Sequence, residues 1–327
     1  MKTLSANAGN ISLAAAALRA GDLVGIPTET VYGLAGDATN AAAVGKIYAV
    51  KGRPANNPLI IHVTDTDSAM AYSEFNSAAR ALASVFWPGP LTLVSPKLEI
   101  RNQKSDRISP LALNHLQTVA LRVPSHPIAQ ALLKEFNGPI AAPSANRSGE
   151  LSPTQATHVA QAFNGLDQPK IILAGGRADN GLESTIVDCT QNIPRILRPG
   201  SITHEQLRAV VGGIKDFEPQ LLTEHDTPNA PGQLYKHYAP RTKLRLNATD
   251  VAPNEVLLAF GPEPPWARRA KFALNLSAAG DLAEAAHNLF SHLHILDACN
   301  ASMIAVMKIP DEGLGIAMND RLQRAAN

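Results

Sequence analysis

Two kinds of apolar pattern alternate along the first two thirds of the chain. Short continuous runs such as 59–63 have the length of buried strands, and longer segments such as 77–86 repeat their apolar residues at helical spacing. The pattern predicts strands at 23–27, 59–63, 91–94, 119–123, 140–142, 170–173 and 184–188. It predicts helices at 14–20, 41–50, 77–86, 128–135, 154–163 and 203–211. This alternation is typical of an α/β domain, here with a twisted, mixed sheet.

A polar stretch then separates this region from the last part of the chain. Residues 213–240 are rich in Pro, Gly, Asp, Thr and Asn, a composition typical of a linker. Beyond them, predicted strands and helices alternate again, at 244–246, 255–260, 282–293, 303–306 and from Gly315 onward. The sequence therefore predicts an α/β domain at 1–212, a linker at 213–240 and a small α/β domain at 241–327.

Composition narrows the possible functions. The 327 residues are 45% apolar and 17% charged, which is ordinary for a globular chain long enough for two domains. A net charge of +1 argues against a surface that binds nucleic acid strongly over a large area. The two cysteines are far apart in the sequence, which fits a reducing cytoplasm and disfavours a zinc site. No apolar run approaches the roughly 18 residues of a membrane span.

The segment Lys51-Gly52-Arg53-Pro54 is the strongest candidate for an anion site. The sequence contains no P-loop, no dinucleotide-binding glycine fingerprint, no HExxH and no GxSxG motif, so a nucleotide would have to be held in another way. Here two cations lie two residues apart in a loop stiffened by proline, and both suit phosphate oxygens. On charge alone, a solvated basic turn is the more common meaning of such a loop.

Four other segments carry polar groups that a ligand could contact. Segment 27–34 has hydroxyls and a carboxylate where α/β proteins bind ligands, but it also fits a helix N-cap. Arg122 lies inside an apolar strand and needs an anionic partner, either a core carboxylate or a substrate. Segment 138–149 offers small polar groups to a phosphate, or with Ser152 forms a helix cap, and Ser144 as a nucleophile is disfavoured because no histidine lies at a motif spacing. Segment 231–240 carries two tyrosines, a histidine and a lysine, which favours interdomain packing or a lid over a nucleotide.

Eight motifs in a fixed order carry a resemblance to a known family. They are Pro-Thr-Glu-Thr-Val-Tyr-Gly-Leu at 27–34, Lys-Gly-Arg-Pro at 51–54 with Asn57-Pro58-Leu59, Trp-Pro-Gly-Pro-Leu-Thr at 87–92, Val-Ala-Leu-Arg-Val-Pro at 119–124, Ala-Pro-Ser-Ala-Asn at 142–146, Glu-Ser-Thr-Ile-Val at 183–187, Leu-Arg-Pro-Gly at 197–200 and His-Tyr-Ala-Pro at 237–240. Each motif is weak alone. Together they make the chain similar to the YrdC-like family in its long, two-domain form, and the region after Pro240 resembles that family's C-terminal domain more loosely.

The resemblance implies a fold and a reaction. The fold would be a YrdC-like catalytic domain on a twisted, mixed sheet, followed by a small Rossmann-like α/β domain. The reaction would join L-threonine, bicarbonate or CO₂ and ATP into threonylcarbamoyl-AMP and pyrophosphate. The product would serve a downstream complex that makes threonylcarbamoyladenosine in tRNA. Mg²⁺ would be held mainly by the ATP phosphates, and catalysis would rest on positioning and electrostatics, with Lys51 and Arg53 in the electrostatic role and no acid or base assigned.

The family's pattern also implies two groups of site residues. L-Threonine would be held by Thr30, His62, Arg122, Ala142 and Ser184, with Arg122 on its carboxylate. ATP would be held by Lys51, Arg53, Asn57, Thr118, Ser144, Asn146, Ser152, Arg198 and Tyr235. In this hypothesis the linker is a lid, and Tyr235 closes over the nucleotide, with His237 or Tyr238 as alternatives for that position.

Two other functions remain open at this point. An RNA-binding module would use the cationic pocket for phosphates and would show steep salt dependence, but it predicts a basic stripe that the charge distribution does not indicate. A carbamoyl-transfer enzyme on the same fold would use carbamoyl phosphate. The chain has no segment that resembles an acylphosphatase or zinc-finger region, which argues against this second alternative.

Overall fold

The structure is a computed structural model that describes residues 1–98, 108–218 and 238–327. Within these ranges, the first part of the chain forms a ten-stranded sheet with helices on its faces. The strands are β1 (Lys2–Ser5), β2 (Val24–Ile26), β3 (Gly33–Asp37), β4 (Ile60–His62), β5 (Leu91–Pro96), β6 (Thr118–Arg122), β7 (Ile140–Ala141), β8 (Ile171–Ala174), β9 (Thr185–Asp188) and β10 (Arg195–Arg198). The helices are α1 (Ala8–Arg19), α2 (Ala41–Lys51), α3 (Thr66–Met70), α4 (Ser77–Phe86), α5 (Pro127–Phe136), α6 (Ala156–Ala162) and α7 (His204–Val211).

The large sheet mixes parallel and antiparallel neighbours. Its strand order is β1-β8-β2-β3-β7-β4-β6-β5-β9-β10. Strands β4 and β6 run parallel with His62 opposite Arg122, whereas β7 runs antiparallel to both β3 and β4. The predicted α/β domain with a mixed sheet is therefore confirmed, and its register places His62 beside Arg122 at the ends of β4 and β6.

A second, smaller sheet follows the linker. It contains β11 (Leu244–Arg245), β12 (Val256–Ala259), β13 (Phe272–Asn275) and β14 (Ile304–Val306), and it is accompanied by α8 (Leu282–Asp297) and α9 (Leu314–Ala326). The order is β11-β14-β12-β13 and all neighbouring pairs are parallel. This layout confirms the predicted Rossmann-like domain. The boundaries at 212 and 241 and the lid stay predictions, since residues 219–237 lie outside the described ranges.

Local sequence explains where α2 ends, and this decides the position of the cationic loop. Asn40 caps the start of α2 by accepting hydrogen bonds from the N–H groups of Ala42 and Ala43. Gly52 follows the helix with a left-handed φ of 62°, a conformation that glycine adopts without a steric cost. Lys51 is therefore the last residue of the helix. A capping box formed by Thr203 and Gln206 begins α7.

The strand β3 was not predicted, and the helix N-cap considered for segment 27–34 is wrong. Its sequence, Gly-Leu-Ala-Gly-Asp, has little intrinsic preference for a strand. It forms because β2 pairs with it on one side and β7 on the other. Tertiary pairing here outweighs local propensity, and the polar segment before Gly33 becomes the loop between two antiparallel strands.

The two domains share a hydrophobic cluster. Val31, Leu151 and Leu182 of the first domain pack in one cluster with Phe290 of α8. Gly181 lies so close to α8 that an added Cβ would come within 2.6 Å of the Ala286 carbonyl oxygen, so this position requires glycine. The small domain is thus packed directly behind loops of the first domain. Across the described parts of both domains, no helix is long and apolar enough to cross a membrane.

Candidate active site

A cleft lies at the ends of β4 and β6, beside the residues that follow β7 and the loop between β2 and β3. Its lining includes eight of the residues that the family pattern implied. These are Thr30, Arg53, His62, Arg122, Ala142, Ser144, Ser184 and Arg198. All five residues assigned to threonine are in this group, together with three of those assigned to ATP. Residues separated by more than 160 positions in the sequence therefore meet in one place.

Strand pairing creates the part of the cleft assigned to threonine. His62 and Arg122 are the last residues of two parallel strands and are register partners, so their side chains emerge side by side. Ala142 continues β7 and its N–H donates to the carbonyl of Ile60 at 3.0 Å. Because β7 runs antiparallel to β4, the small polar residues that follow β7 lie beside Ile60 at the start of β4, and both Ile60 and His62 line the cleft.

Arg122 has an internal anionic partner. Its Nη2 lies 2.6 Å from Oε1 of Glu29, and both side chains are buried. Its Nε donates weakly to the carbonyl of Gly89 at 3.4 Å. Among the described residues, the remaining nitrogen, Nη1, has no hydrogen-bond partner. The core carboxylate left open by the sequence is thus Glu29, and one arm of the guanidinium is still available to a ligand in the cleft.

His62 is a neutral imidazole in this cleft. Burial and the neighbouring charge of Arg122 lower the pKa of His62 from 6.5 to about 3. Within the described residues its Nδ1 is buried without a hydrogen-bond partner. A neutral ring can donate through one nitrogen and accept through the other, so His62 suits a polar, uncharged group better than an anion.

Replacing His62 with glutamine is expected to flatten the pH dependence of stability below neutrality. Between pH 6.5 and about 3 the unfolded chain binds a proton that the folded protein rejects, so stability falls as the pH falls through this window. At about pH 5 this residue is expected to cost the wild type about 2 kcal/mol relative to about pH 8. Urea unfolding at both pH values measures the free energy of unfolding. An equal change in this free energy between the two pH values in wild type and His62→Gln would contradict a buried neutral histidine.

Two further arginines, Arg53 and Arg198, also line the cleft. Arg53 is held by Asn57: its Nε donates to the Asn57 carbonyl at 3.0 Å and its Nη2 to Asn57 Oδ1 at 2.6 Å. Burial lowers the pKa of Arg53 to about 10, so the side chain is still charged at neutral pH. Arg198 donates from Nη2 to the carbonyl of Ser184 at 2.9 Å. Because the described lining residues include three arginines and one glutamate, the cleft favours anions.

Lys51 acts on a loop rather than on the cleft surface. Its ammonium donates to the carbonyls of Ser144 and Asn146 at 2.6 and 2.5 Å, and to Asn146 Oδ1 at 3.3 Å. Burial, and then the charge of Arg53, lower the pKa of Lys51 well below its usual range. These three bonds match the three protons of the ammonium group. Lys51 thus fixes the loop that presents Ser144, and its direct contact with phosphate stays a prediction.

The remaining residues assigned to ATP lie around the cleft or outside the described ranges. Asn146 accepts from Ser144 Oγ at 2.6 Å, and Ser152 donates from its hydroxyl to Glu183. Thr118 begins β6, four residues before Arg122, and is not among the residues that line the cleft. Tyr235 lies outside the described residues.

Three residues of the site were not assigned from the sequence. Glu29 and Glu183 lie inside the quoted motifs, but no sequence signal indicates which arginine each one faces. Tyr238 was weighed only as an alternative to Tyr235. It is 1% exposed, lines the cleft and has a left-handed φ of 64°. The burial of this tyrosine in a polar linker depends on the small domain, which no local pattern predicts.

The carboxylates at the cleft do not form a metal site of their own. Glu29 is paired with Arg122, and Glu183 with Arg321 at 3.0 Å. In residues 1–98, 108–218 and 238–327, no group of three or more His, Cys, Asp or Glu side chains is arranged to hold a metal ion. Both acidic groups near the cleft are already neutralised by arginine, so a divalent cation would need other ligands.

Comparisons with known proteins agree with this architecture. A family model described as "Telomere recombination" matches residues 16–200, and one described as "Threonylcarbamoyl-AMP synthase, C-terminal domain" matches residues 202–327. The threonylcarbamoyl-AMP synthase of Bacillus subtilis is 38% identical over 99% of this chain and 94% of its own length. The chain belongs to the threonylcarbamoyl-AMP synthase family. The enzyme of that name from Pyrococcus abyssi is also 38% identical, over 97% of this chain and 94% of its own.

A solved structure of the family matches nearly the whole chain. P. abyssi Sua5 complexed with L-threonine has a TM-score of 0.87 and 35% identity, and the match covers 99% of this chain and 96% of that one. Escherichia coli YciO has a TM-score of 0.52 at 22% identity over 61% of this chain, which supports the fold of the first domain alone. The resemblance seen in the eight motifs, the two-domain form included, is therefore confirmed.

Proposed function

We propose that this chain joins L-threonine, bicarbonate or CO₂ and ATP into threonylcarbamoyl-AMP, with release of pyrophosphate. The observation that carries the proposal is the cationic cleft, in which Arg122 and neutral His62 lie on adjacent strands and Arg53 and Arg198 also belong to the lining. A substrate with a carboxylate fits the first pair, and a polyphosphate fits the second. Family membership and the similarity to P. abyssi Sua5 complexed with L-threonine support this assignment.

L-Threonine would bind at the ends of β4 and β6. The open Nη1 of Arg122 would bind the threonine carboxylate. The ion pair with Glu29 holds the Arg122 guanidinium in a fixed orientation before the substrate binds. His62 would face an uncharged polar part of the substrate, and the hydroxyls of Thr30 and Ser184 would add further contacts. Thr30 Oγ1 lies 2.8 Å from Thr28 Oγ1, and Ser184 Oγ lies 2.8 Å from Thr92 Oγ1, so both hydroxyls are held in place.

The chemical step needs positioning and charge compensation rather than a nucleophile of the protein. The threonine amine captures CO₂ as a carbamate, a carbamate oxygen attacks the α-phosphorus of ATP, and the bond to the β-phosphate breaks to release pyrophosphate. Arg53 and Arg198 would stabilise the negative charge that grows on the phosphate oxygens. The loop at 142–146, fixed by Lys51, would hold the triphosphate. Asn57, Ser152 and Thr118 complete the proposed ATP set.

We propose that Mg²⁺ is bound by the phosphates of ATP. The paired carboxylates of the cleft leave the phosphate oxygens as its ligands, as expected for a cation that prefers oxygen ligands and substrate phosphates. We assign no protein residue to it and no step of the reaction.

The cellular setting and the partners are also part of the proposal. We place the enzyme in the cytoplasm, where its product would pass to the complex that transfers the threonylcarbamoyl group to tRNA. We expect no strong direct binding of nucleic acid, since the net charge is +1. We further propose that the linker at 213–240 closes over bound ATP, with Tyr235 as the residue that covers the nucleotide and Tyr238 at the buried end of the same segment.

Pyrophosphate release from ATP is expected to require both L-threonine and bicarbonate. The assay measures pyrophosphate with all three substrates and with each omitted in turn, and mass spectrometry identifies the adenylate product. Equal release without threonine would contradict the assignment. Salt-dependent tRNA binding without threonine-dependent consumption of ATP would favour the RNA-binding alternative instead.

A further inference from the structure

A cation of the small domain lies beneath the cleft of the first domain. Arg321, in α9, is 1% exposed, and its Nε donates to Oε2 of Glu183 at 3.0 Å. Its guanidinium also lies 5.3 Å from the centre of the Tyr238 ring. Both Glu183 and Tyr238 line the cleft, whereas Arg321 itself does not. The small domain therefore contacts the site from behind through this side chain.

Glu183 is the acidic group of the cleft that this arginine compensates. Arg321 also pairs with Asp320 at 2.9 Å, and Asp320 in turn pairs with Arg324 at 2.9 Å. Among the described residues of the cleft lining, Glu183 is the only one with a carboxylate. The hydroxyl of Ser152, assigned to ATP, donates to its other oxygen, and Ser184 is its neighbour in the chain. Without a cation behind it, this carboxylate would repel a polyphosphate across a region of low dielectric constant.

Stability alone does not account for the pair. A buried ion pair adds little net stability, because both charges lose their hydration. Arg321 also has one nitrogen, Nη2, that is buried without a hydrogen-bond partner in the described part of the chain, which is unfavourable. Nε and Nη1 are directed at Glu183 and Asp320, so the guanidinium has a fixed orientation despite this.

We propose that Arg321 is a positioning residue of the active site, which neutralises Glu183 and holds it with Tyr238 so that the cleft accepts ATP. The small domain thus completes the ATP side of the site. This inference rests on the proposed function, since it assumes that the cleft binds ATP. Because ATP is a polyanion and threonine carries no net charge, loss of Arg321 acts on ATP far more than on threonine.

The test compares the full-length variants Arg321→Met, Glu183→Gln and the double variant. Arg321→Met leaves a bare carboxylate and is expected to lower kcat/KM for ATP by roughly 30-fold or more through KM, with little change in KM for threonine. Glu183→Gln leaves the cation Arg321 without its carboxylate, and kcat/KM for ATP is expected to fall much less than in Arg321→Met. The double variant removes the charges of both Arg321 and Glu183, and its kcat/KM for ATP is expected to be at least tenfold higher than that of Arg321→Met. Arg321→Lys keeps the charge, and its kcat/KM for ATP is expected to lie between those of wild type and Arg321→Met.

Arg177→Gln is the matched control. Arg177 also bridges the domains, since its Nη2 donates to the His287 carbonyl at 2.5 Å and to Asn288 Oδ1 at 2.8 Å, but it does not line the cleft. This variant is expected to keep the wild-type KM for ATP. Equal losses in Arg321→Met and Glu183→Gln, or no recovery in the folded double variant, would overturn the inference and leave a structural ion pair. Wild type that releases pyrophosphate without threonine would instead overturn the proposed function.

Discussion

An Arg53→Ala variant is expected to lose productive ATP binding, with kcat/KM for ATP falling by roughly 100- to 1,000-fold. The guanidinium lines the cleft, is buried and carries a full charge at neutral pH, since its pKa is about 10. Its bonds to Asn57 hold it rigidly, so little entropy is lost when a phosphate binds. Titration of ATP in the pyrophosphate assay measures the loss. We expect kcat/KM for ATP to fall and KM for threonine to stay unchanged.

Arg147→Ala provides the comparison for this variant. Arg147 is a nearby arginine whose Nη1 donates to the Val50 carbonyl at 2.7 Å, but it is not among the cleft residues. It is expected to leave KM for ATP within about threefold of wild type, as surface charges do. Comparable losses in both variants would mean that general charge near α2, and not contact of Arg53 with ATP, explains the effect.

An Arg122→Ala variant is expected to lose threonine-dependent pyrophosphate release by roughly 100-fold or more, because the substrate carboxylate loses its counter-ion. The change also leaves Glu29 buried without its cation, so the free energy of unfolding is expected to fall by about 3–5 kcal/mol. Threonine titration and urea unfolding measure the two effects separately.

The double variant Arg122→Ala with Glu29→Gln separates substrate binding from stability. Removing the unpaired carboxylate is expected to recover most of the lost stability, whereas threonine use stays impaired because no cation has been restored. Recovery of activity along with stability would show that Arg122 acts only by balancing Glu29. Arg122→Lys, which keeps the charge but loses the planar fork, is expected to retain part of the activity.

The sequence was most informative where short motifs lie at strand ends. The strands that contain His62 and Arg122 are both clear apolar runs, and the buried charge of Arg122 marked it for attention, whereas His62 was indicated only by the family resemblance. The strand β3 did not stand out, because its glycines and aspartate become a strand only through pairing with β2 and β7. The family's motif pattern therefore proposed site residues from the sequence, whereas local apolar pattern did not predict every strand beside them.

The role of Lys51 in the structure differs from the role that the charge pattern of the sequence predicted. The sequence placed it with Arg53 in one cationic loop, and two residues of the same charge invited the same role. In the structure Gly52 turns the chain, so that Arg53 lines the cleft while Lys51 holds the loop that contains Ser144 and Asn146. The direction of a side chain at a helix end depends on the backbone turn that follows, which charge pattern does not specify.

The sequence by itself determined the α/β class, the two-domain order and the family, because motif order and apolar periodicity are properties of the chain alone. Tertiary structure decided which charges compensate one another. Glu29 lies 93 positions from Arg122, and Glu183 lies 138 positions from Arg321. No periodic pattern links groups so far apart, since their pairing follows from sheet register in the first case and from domain packing in the second. The residues proposed for the active site could therefore be named from the sequence, whereas the pairing of their charges is a property of the fold.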